Sequence, residues 1–191
     1  MSDPASSSAK PFPPAPESAE TAAELWAQAQ ARFGLRDYDG AADLLGGLIA
    51  EHDGAPGLNM AAVRLQYGVT LLRLRRTPEG VEQLRHAVEL DPGNPRIHQK
   101  LGAGLARLGH DAAALPHLER AAAMAPEKSE YQWRVGEQYR RLRRAAEARA
   151  AFDRALKLDP GYLAARDGLE KLKRRKGGWL VRLARVFKLR R

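Results

Sequence analysis

"AVELDPGN" (87–94) returns as "ALKLDPGY" (155–162), and "AAAMAPEK" (121–128) lies midway between the two copies. The offset is 68 residues, twice 34, and it puts Ala87, Ala121 and Ala155 in one register and Pro92, Pro126 and Pro160 in another. Further upstream the same spacing aligns Gly68, Gly102 and Gly136, then Gly80, Ala114 and Ala148, then Leu84, Leu118 and Phe152. A period of this length, sustained over three copies, marks a chain built from one supersecondary unit stacked on itself.

Each unit reads as two antiparallel helices, because apolar residues recur at spacings of three and four in both halves with a turn between them. Gly68, Gly102 and Gly136 fall inside the first helix. Glycine costs about 1 kcal/mol there relative to alanine, so close approach of the second helix is the expected compensation. Tyr67, Leu71, Leu101, Leu105, Val135 and Tyr139 are expected to fill that interface, met by Leu84, Leu118 and Phe152 from the second helices. Each proline stops the second helix and starts the next turn.

Spacing and residue types together resemble the tetratricopeptide repeat, a 34-residue unit with a W-x2-L-G-x2-Y, A-x3-F, P pattern. The third unit carries Leu101-Gly102, Leu105, Ala114, Leu118, Ala121 and Pro126; the fourth carries Val135-Gly136, Tyr139, Ala148, Phe152, Ala155 and Pro160. Arg64, His98 and Gln132 replace the aromatic of the first position. A degenerate first unit begins near residue 22, with Ala41 and Leu45 in the small and large slots; between Ala41 and Gly80 lie 39 residues, so the join "EHDGAPGLN" holds about five extra. The expected repeats are therefore 22–55, 61–94, 95–128 and 129–162. Residues 162–176 begin a fifth unit that never returns, as a capping helix does. The resemblance implies an all-α, right-handed α-solenoid of helix-turn-helix repeats over 22–176.

It also implies a non-catalytic scaffold or adaptor, whose first helices line a concave groove that holds a protein or peptide. On that register the groove presents Arg73 from the second unit, Arg96, Lys100 and Arg107 from the third, and Trp133, Arg134, Arg140 and Arg141 from the fourth. Glu130 and Glu137 oppose these bases. The expected partner is an acidic segment or chain-terminal carboxylate, with Trp133 as an apolar anchor. Trp26, Gln30 and Gln66 stand where a chaperone-type carboxylate clamp uses lysine and two asparagines, so chaperone tails are not the expected ligand.

Charge separates along the chain. Residues 1–132 hold 13 Lys/Arg and 17 Asp/Glu, whereas residues 133–191 hold 19 and 6, so the formal charge of +9 belongs to the last third. That bias also admits a second class, a helical-repeat nucleic-acid binder, which the scarcity of aromatics for base stacking makes the lesser reading. Without cysteine there is no disulfide framework or thiolate metal site. His52, His86, His98, His110 and His117 do not pair at metal-ligand spacing on one helical face, and "DYDGAAD" lacks a calcium-loop order, with Asp39 the expected helix cap. No cofactor, metal or catalytic group is expected.

Five prolines and five serines in the first twenty residues predict a disordered segment over 1–21. No signal-like apolar run and no spanning segment is found, so the expected location is the cytoplasm. The chain ends in "GGWLVRLARVFKLRR" (177–191). On a helical wheel Trp179, Leu180, Leu183, Val186 and Phe187 share one arc, opposite Arg182, Arg185 and Lys188. Thirteen residues are too few to cross a bilayer, so this amphipathic tail helix is expected to lie on an anionic membrane surface at the inner face, with a partner helix or its own solenoid as the competing dock.

Overall fold

The computed structural model describes residues 21–52 and 57–174. The expected disordered segment, all but its last residue, and the whole tail, including Trp179, Leu180, Arg182, Leu183, Arg185, Val186, Phe187 and Lys188, lie outside them. Described residues form helices and turns with no strand: α1 (Ala22–Gly34), α2 (Tyr38–His52), α3 (Met60–Arg73), α4 (Thr77–Leu90), α5 (Pro95–Arg107), α6 (Asp111–Met124), α7 (Ser129–Arg141), α8 (Ala145–Leu158) and α9 over 163–174. No helix among them is long and apolar enough to cross a membrane.

Helix starts follow local chemistry. Thr21 and Glu24 exchange bonds in a capping box at α1. Asn59 accepts from the Ala62 amide at α3, and Asn94 accepts from the Arg96 amide at α5 with Pro95 as first helical residue. At α2 the cap is Asp37, which accepts from the Gly40 amide at 3.0 Å, and not the expected Asp39. Asp37 also receives Arg32 at 2.7 Å, and an acceptor preceding the helix can reach its open amides where one inside the first turn cannot.

Successive pairs α1/α2, α3/α4, α5/α6 and α7/α8 stack as an α-solenoid, each pair also packing on the next. The glycine register decides how closely the pairs cross. A Cβ on Gly68 would meet Leu84 Cγ at 2.7 Å, one on Gly102 would meet Leu118 Cγ at 2.6 Å, and one on Gly136 would strike the Phe152 ring at 2.6 Å. Ala41, Ala114 and Ala148 are fully buried in the small slot, and Leu45, Leu84 and Phe152 in the large one. α9 closes the stack by laying Ala165 and Gly168 on Phe152.

Between the helices of each pair the chain turns through one residue of left-handed backbone: Arg36, Arg75, Gly109 and Arg143, with φ of 64°, 62°, 81° and 62°. The last three are 34 apart, and the first stands 39 before Arg75, so the turn carries the same insertion as the sequence pattern.

Candidate functional site

The first helices α3, α5 and α7 present equivalent positions side by side, so three rows of residues 34 apart define one surface. Arg73, Arg107 and Arg141 form one row and Gln66, Lys100 and Arg134 another, while in the third Leu65 and Gln99 are buried beneath the surface and Trp133 is half-buried. Between α5 and α7 the surface dips into a recess of about 260 Å³. Ala103, Ala106, Leu118 and Trp133 line it together with Arg107, Arg134, Glu137, Gln138 and Arg141.

Most of the expected groove cations are already engaged. Arg107 donates from Nη1 to the Leu72 carbonyl at 2.9 Å. Arg141, one repeat on, donates from Nη2 to the Ala106 carbonyl at 2.7 Å and from Nε to Asp111 at 2.6 Å. Each of these arginines thus clips the C-terminal end of the preceding first helix: Leu72 offers a carbonyl that the helix leaves unpaired, whereas the Ala106 carbonyl also accepts from the Gly109 amide at 3.2 Å. Gln138 adds a bond to Asp111 and another to its carbonyl. Burial pushes the Asp111 carboxyl up, but the bonds from Arg141 and Gln138 outweigh it and hold the group below the usual range. Arg140 forks onto Glu137 at 2.8 Å, and Arg134 pairs with Glu130 at 2.9 Å.

Arg73, Arg96 and Lys100 differ: their side chains make no hydrogen bond or ion pair among the described residues. Lys100 is half-buried. Burial lowers its ammonium pKa, and Arg134, Arg96 and Arg73 add to the shift while Glu130 opposes it. Four cations therefore crowd one stretch of groove with a single carboxylate among them. Trp133 serves the recess and the fold together, since it also packs edge-on to Tyr162 at 6.0 Å and against the Phe152 cluster, with Arg134 over its face.

Sequence reasoning overlooked three features. Ala103 and Ala106 look like ordinary helix filler until α7 is placed beside them. Gln99 is 2% exposed and its Nε2 has no partner. The signal for it was present, a polar residue in the row otherwise held by Leu65 and Trp133. His98 and His117 also meet, Nδ1 to Nδ1 at 3.1 Å, from two different helices. Among the described residues no group of three or more His, Cys, Asp or Glu is placed to hold a metal.

The tetratricopeptide repeat family model matches residues 27–95 and 100–162. The chain belongs to that family. No curated protein matches it. Among solved structures with this fold, a MamA fragment from Desulfovibrio magneticus RS-1 aligns with a TM-score of 0.75 at 20% identity, covering 87% of this chain and 92% of that one. YrrB, a TPR protein with an unusual peptide-binding site, aligns at 0.70 and 18%, covering 78% and 74%. The first TPR of Spaghetti, bound to the HSP90 peptide SRMEEVD, aligns at 0.59 and 22%, covering 62% and 94%.

Proposed function

We propose that this TPR protein is a non-catalytic scaffold that holds an acidic segment of a partner protein along α3, α5 and α7. The observation that carries the reading is the group of unpaired cations, Arg73, Arg96 and Lys100, on the surface that also holds the recess lined by Trp133 and Arg134. Cations that share one surface without counter-charges repel each other, and an anionic ligand relieves that repulsion while forming charge-assisted bonds. Peptide binding by YrrB and by Spaghetti is in keeping with this use of the fold.

Replacing Arg96, Lys100 and Arg134 together with glutamate should abolish capture of the partner while leaving helicity intact. Affinity that stays unchanged in titration calorimetry at low salt, where charge contributes most, would overturn the reading. The competing nucleic-acid reading draws on the basic last third, but among the described residues Trp133 is the one aromatic lining the recess. Capture from native cytosol with and without nuclease separates the two, since a partner retained after digestion is not bridged by nucleic acid.

The proposal extends to the tail on its sequence pattern alone: residues 179–191 tether the scaffold to an anionic leaflet, through the aromatic arc and its flanking bases. The full chain should float with anionic liposomes, and a chain ending at Lys176 should float less. Equal flotation of the two would reassign the tail to a protein contact.

A further inference from the structure

The turn that joins the two helices of each unit keeps its register past the last described helix. Arg75, Gly109 and Arg143 hold the left-handed backbone of that turn. They are 34 residues apart, and the next step of 34 falls on Gly177, a residue that adopts such a φ without strain. Second helices begin two residues later, at Thr77, Asp111 and Ala145, and the next step falls on Trp179. The buried rows of those helices continue likewise. Val81 and Leu115 lead through Arg149 to Leu183; Leu84, Leu118 and Phe152 lead to Val186; Ala87, Ala121 and Ala155 lead to Leu189. Residues 179–191 thus carry apolar side chains at positions that a second helix buries.

The described end of the solenoid has a matching hollow. Ala145, Arg149, Leu169, Leu172 and Lys173 line a space of about 130 Å³ between α8 and α9. The residues 68 earlier, Thr77, Val81, Leu101, Gly104 and Leu105, are all buried. Val81, Leu101 and Leu105 share one core with Ala114 of the following helix α6. At α9 the same five positions are exposed or half-buried, so the place that α6 fills on α5 stands open. Charge fits as well. The row of Gly68, Gly102 and Gly136 continues to Glu170, and the small row of Gly80, Ala114 and Ala148 continues to Arg182. In the inner units these rows touch: a Cβ on Gly80 would lie 2.9 Å from the Gly68 carbonyl, and one on Gly102 would lie 3.1 Å from the Ala114 carbonyl. In a fifth unit the touching pair is a carboxylate and a guanidinium, whose size, with that of Leu189 in the alanine row, sets the two helices further apart. Arg185 falls opposite Arg166, a like-charge pair, but Arg166 is exposed and already turned onto the Pro160 carbonyl at 2.9 Å.

We propose that residues 179–191 form the second helix of a fifth repeat, folded back on α9 through a turn at Gly177, with Leu183, Val186 and Leu189 toward α9 and Arg182 paired with Glu170. Glu170 is held by Lys173 at 2.7 Å with both side chains exposed, so exchanging that partner costs little. The inference goes beyond the groove reading and bears on the tether. A leaflet takes up Trp179, Leu180, Leu183, Val186 and Phe187, and Leu183 and Val186 belong to both sets. The tail cannot serve both at once, so a chain on the membrane is one whose fifth repeat has opened.

The chain has no cysteine, so a pair can be introduced cleanly. Glu170→Cys with Val186→Cys joins the rows that meet as Gly102 and Leu118. Glu170→Cys with Phe187→Cys is the control, because position 187 continues the exposed row of Arg85, Glu119 and Asp153. Under mild oxidation of the dilute full chain, the first pair should close within one chain at least about tenfold faster than the control, since a disulfide forms only between closely set, facing positions. Arg182→Glu and Glu170→Arg should each speed amide exchange in α9 by at least about tenfold, as should ending the chain at Lys176. Combining the two reversals should restore slow exchange, which a mere loss of structure does not do. Anionic liposomes should slow closure of the 170–186 pair. Equal closure of the two pairs, disulfides between chains in place of within one, or α9 exchange unchanged by the truncation would overturn the fifth repeat. The acidic-groove reading would then stand, since partner capture measures it separately. Closure that liposomes leave unchanged while the chain floats would overturn the competition between the two docks.

Discussion

Gly102 shows how much one hydrogen atom in place of a methyl group decides. Its virtual Cβ lies 2.6 Å from Leu118 Cγ and 3.1 Å from the Ala114 carbonyl, and neither neighbour is the loose end of a long side chain. Gly102→Leu should therefore pry α5 from α6 and lower stability by at least about 2 kcal/mol. Gly47 is the matched control: it is exposed on α2 with nothing within 4 Å, so Gly47→Ala should gain up to about 1 kcal/mol from helix propensity. Thermal melts followed by circular dichroism compare them. A Gly102→Leu midpoint equal to that of the unmutated chain would remove the close crossing as the reason for the glycine register. At this scale the packing residues were readable because a strict period exposes them. The fates of the arginines were not, because a clip such as Arg107 on the Leu72 carbonyl joins residues of different units and depends on how those units stack. Asp37 and Asp39 show the same limit locally, since choosing the cap needs the helix start to within one residue.

α5 and α6 are joined by more than the glycine crossing, since a pair of histidines also meets between them. His98 Nε2 lies 3.1 Å from the Pro92 carbonyl, which can only accept, so this nitrogen carries a proton. His98 Nδ1 meets His117 Nδ1 at 3.1 Å across the two helices. Burial lowers the His117 pKa below its usual 6.5, and His98, Arg85 on α4 and Arg120 on α6 push the same way. The unfolded chain therefore binds this proton at higher pH than the folded one. The resulting stability is complete above about pH 6.5 and is lost as pH falls from there toward the lowered folded value. The melting midpoint should drop between about pH 7.5 and 5.5, and His117→Gln should remove most of that drop. Parallel curves for the two proteins would show that the pair contributes nothing to the pH response. The helices themselves were readable from periodicity; this contact was not, because two histidines 19 residues apart share no helical face until the pair folds back on itself.

Over the whole molecule the joints between units are unequal. The second and third units are tied by Arg107 on the Leu72 carbonyl, and the third and fourth by Arg141 on the Ala106 carbonyl with Asp111 and Gln138. Arg73 holds the equivalent place at the first joint but makes no such bond, and there the chain has about five more residues than the repeat needs. Terminal units also have one neighbour where inner units have two, and α9 covers the fourth unit but nothing described covers the outer side of the first. Amide exchange should therefore be fastest, among the helices, in α1 and α2 and slowest in α5 and α6, with α7 and α8 between. Mass spectrometry of exchanged peptides reads this directly. Faster exchange in α7 and α8 than in α1 and α2 would show that the arginine clips do not set the order. The architecture was legible from three aligned phrases, but the ranking of its joints was not, because it depends on two side chains that a sequence pattern treats as ordinary surface.

Under load those two clips acquire a different meaning. A solenoid pulled at its ends behaves as a spring of coils in series, and the coil with the weakest coupling opens first. On the exchange order expected above that coil is the first repeat, whereas the cations and the recess sit on the second, third and fourth. Tension on the scaffold would be spent on extending the first repeat before it reached the groove, so a cargo held there stays gripped while the far end of the molecule gives way.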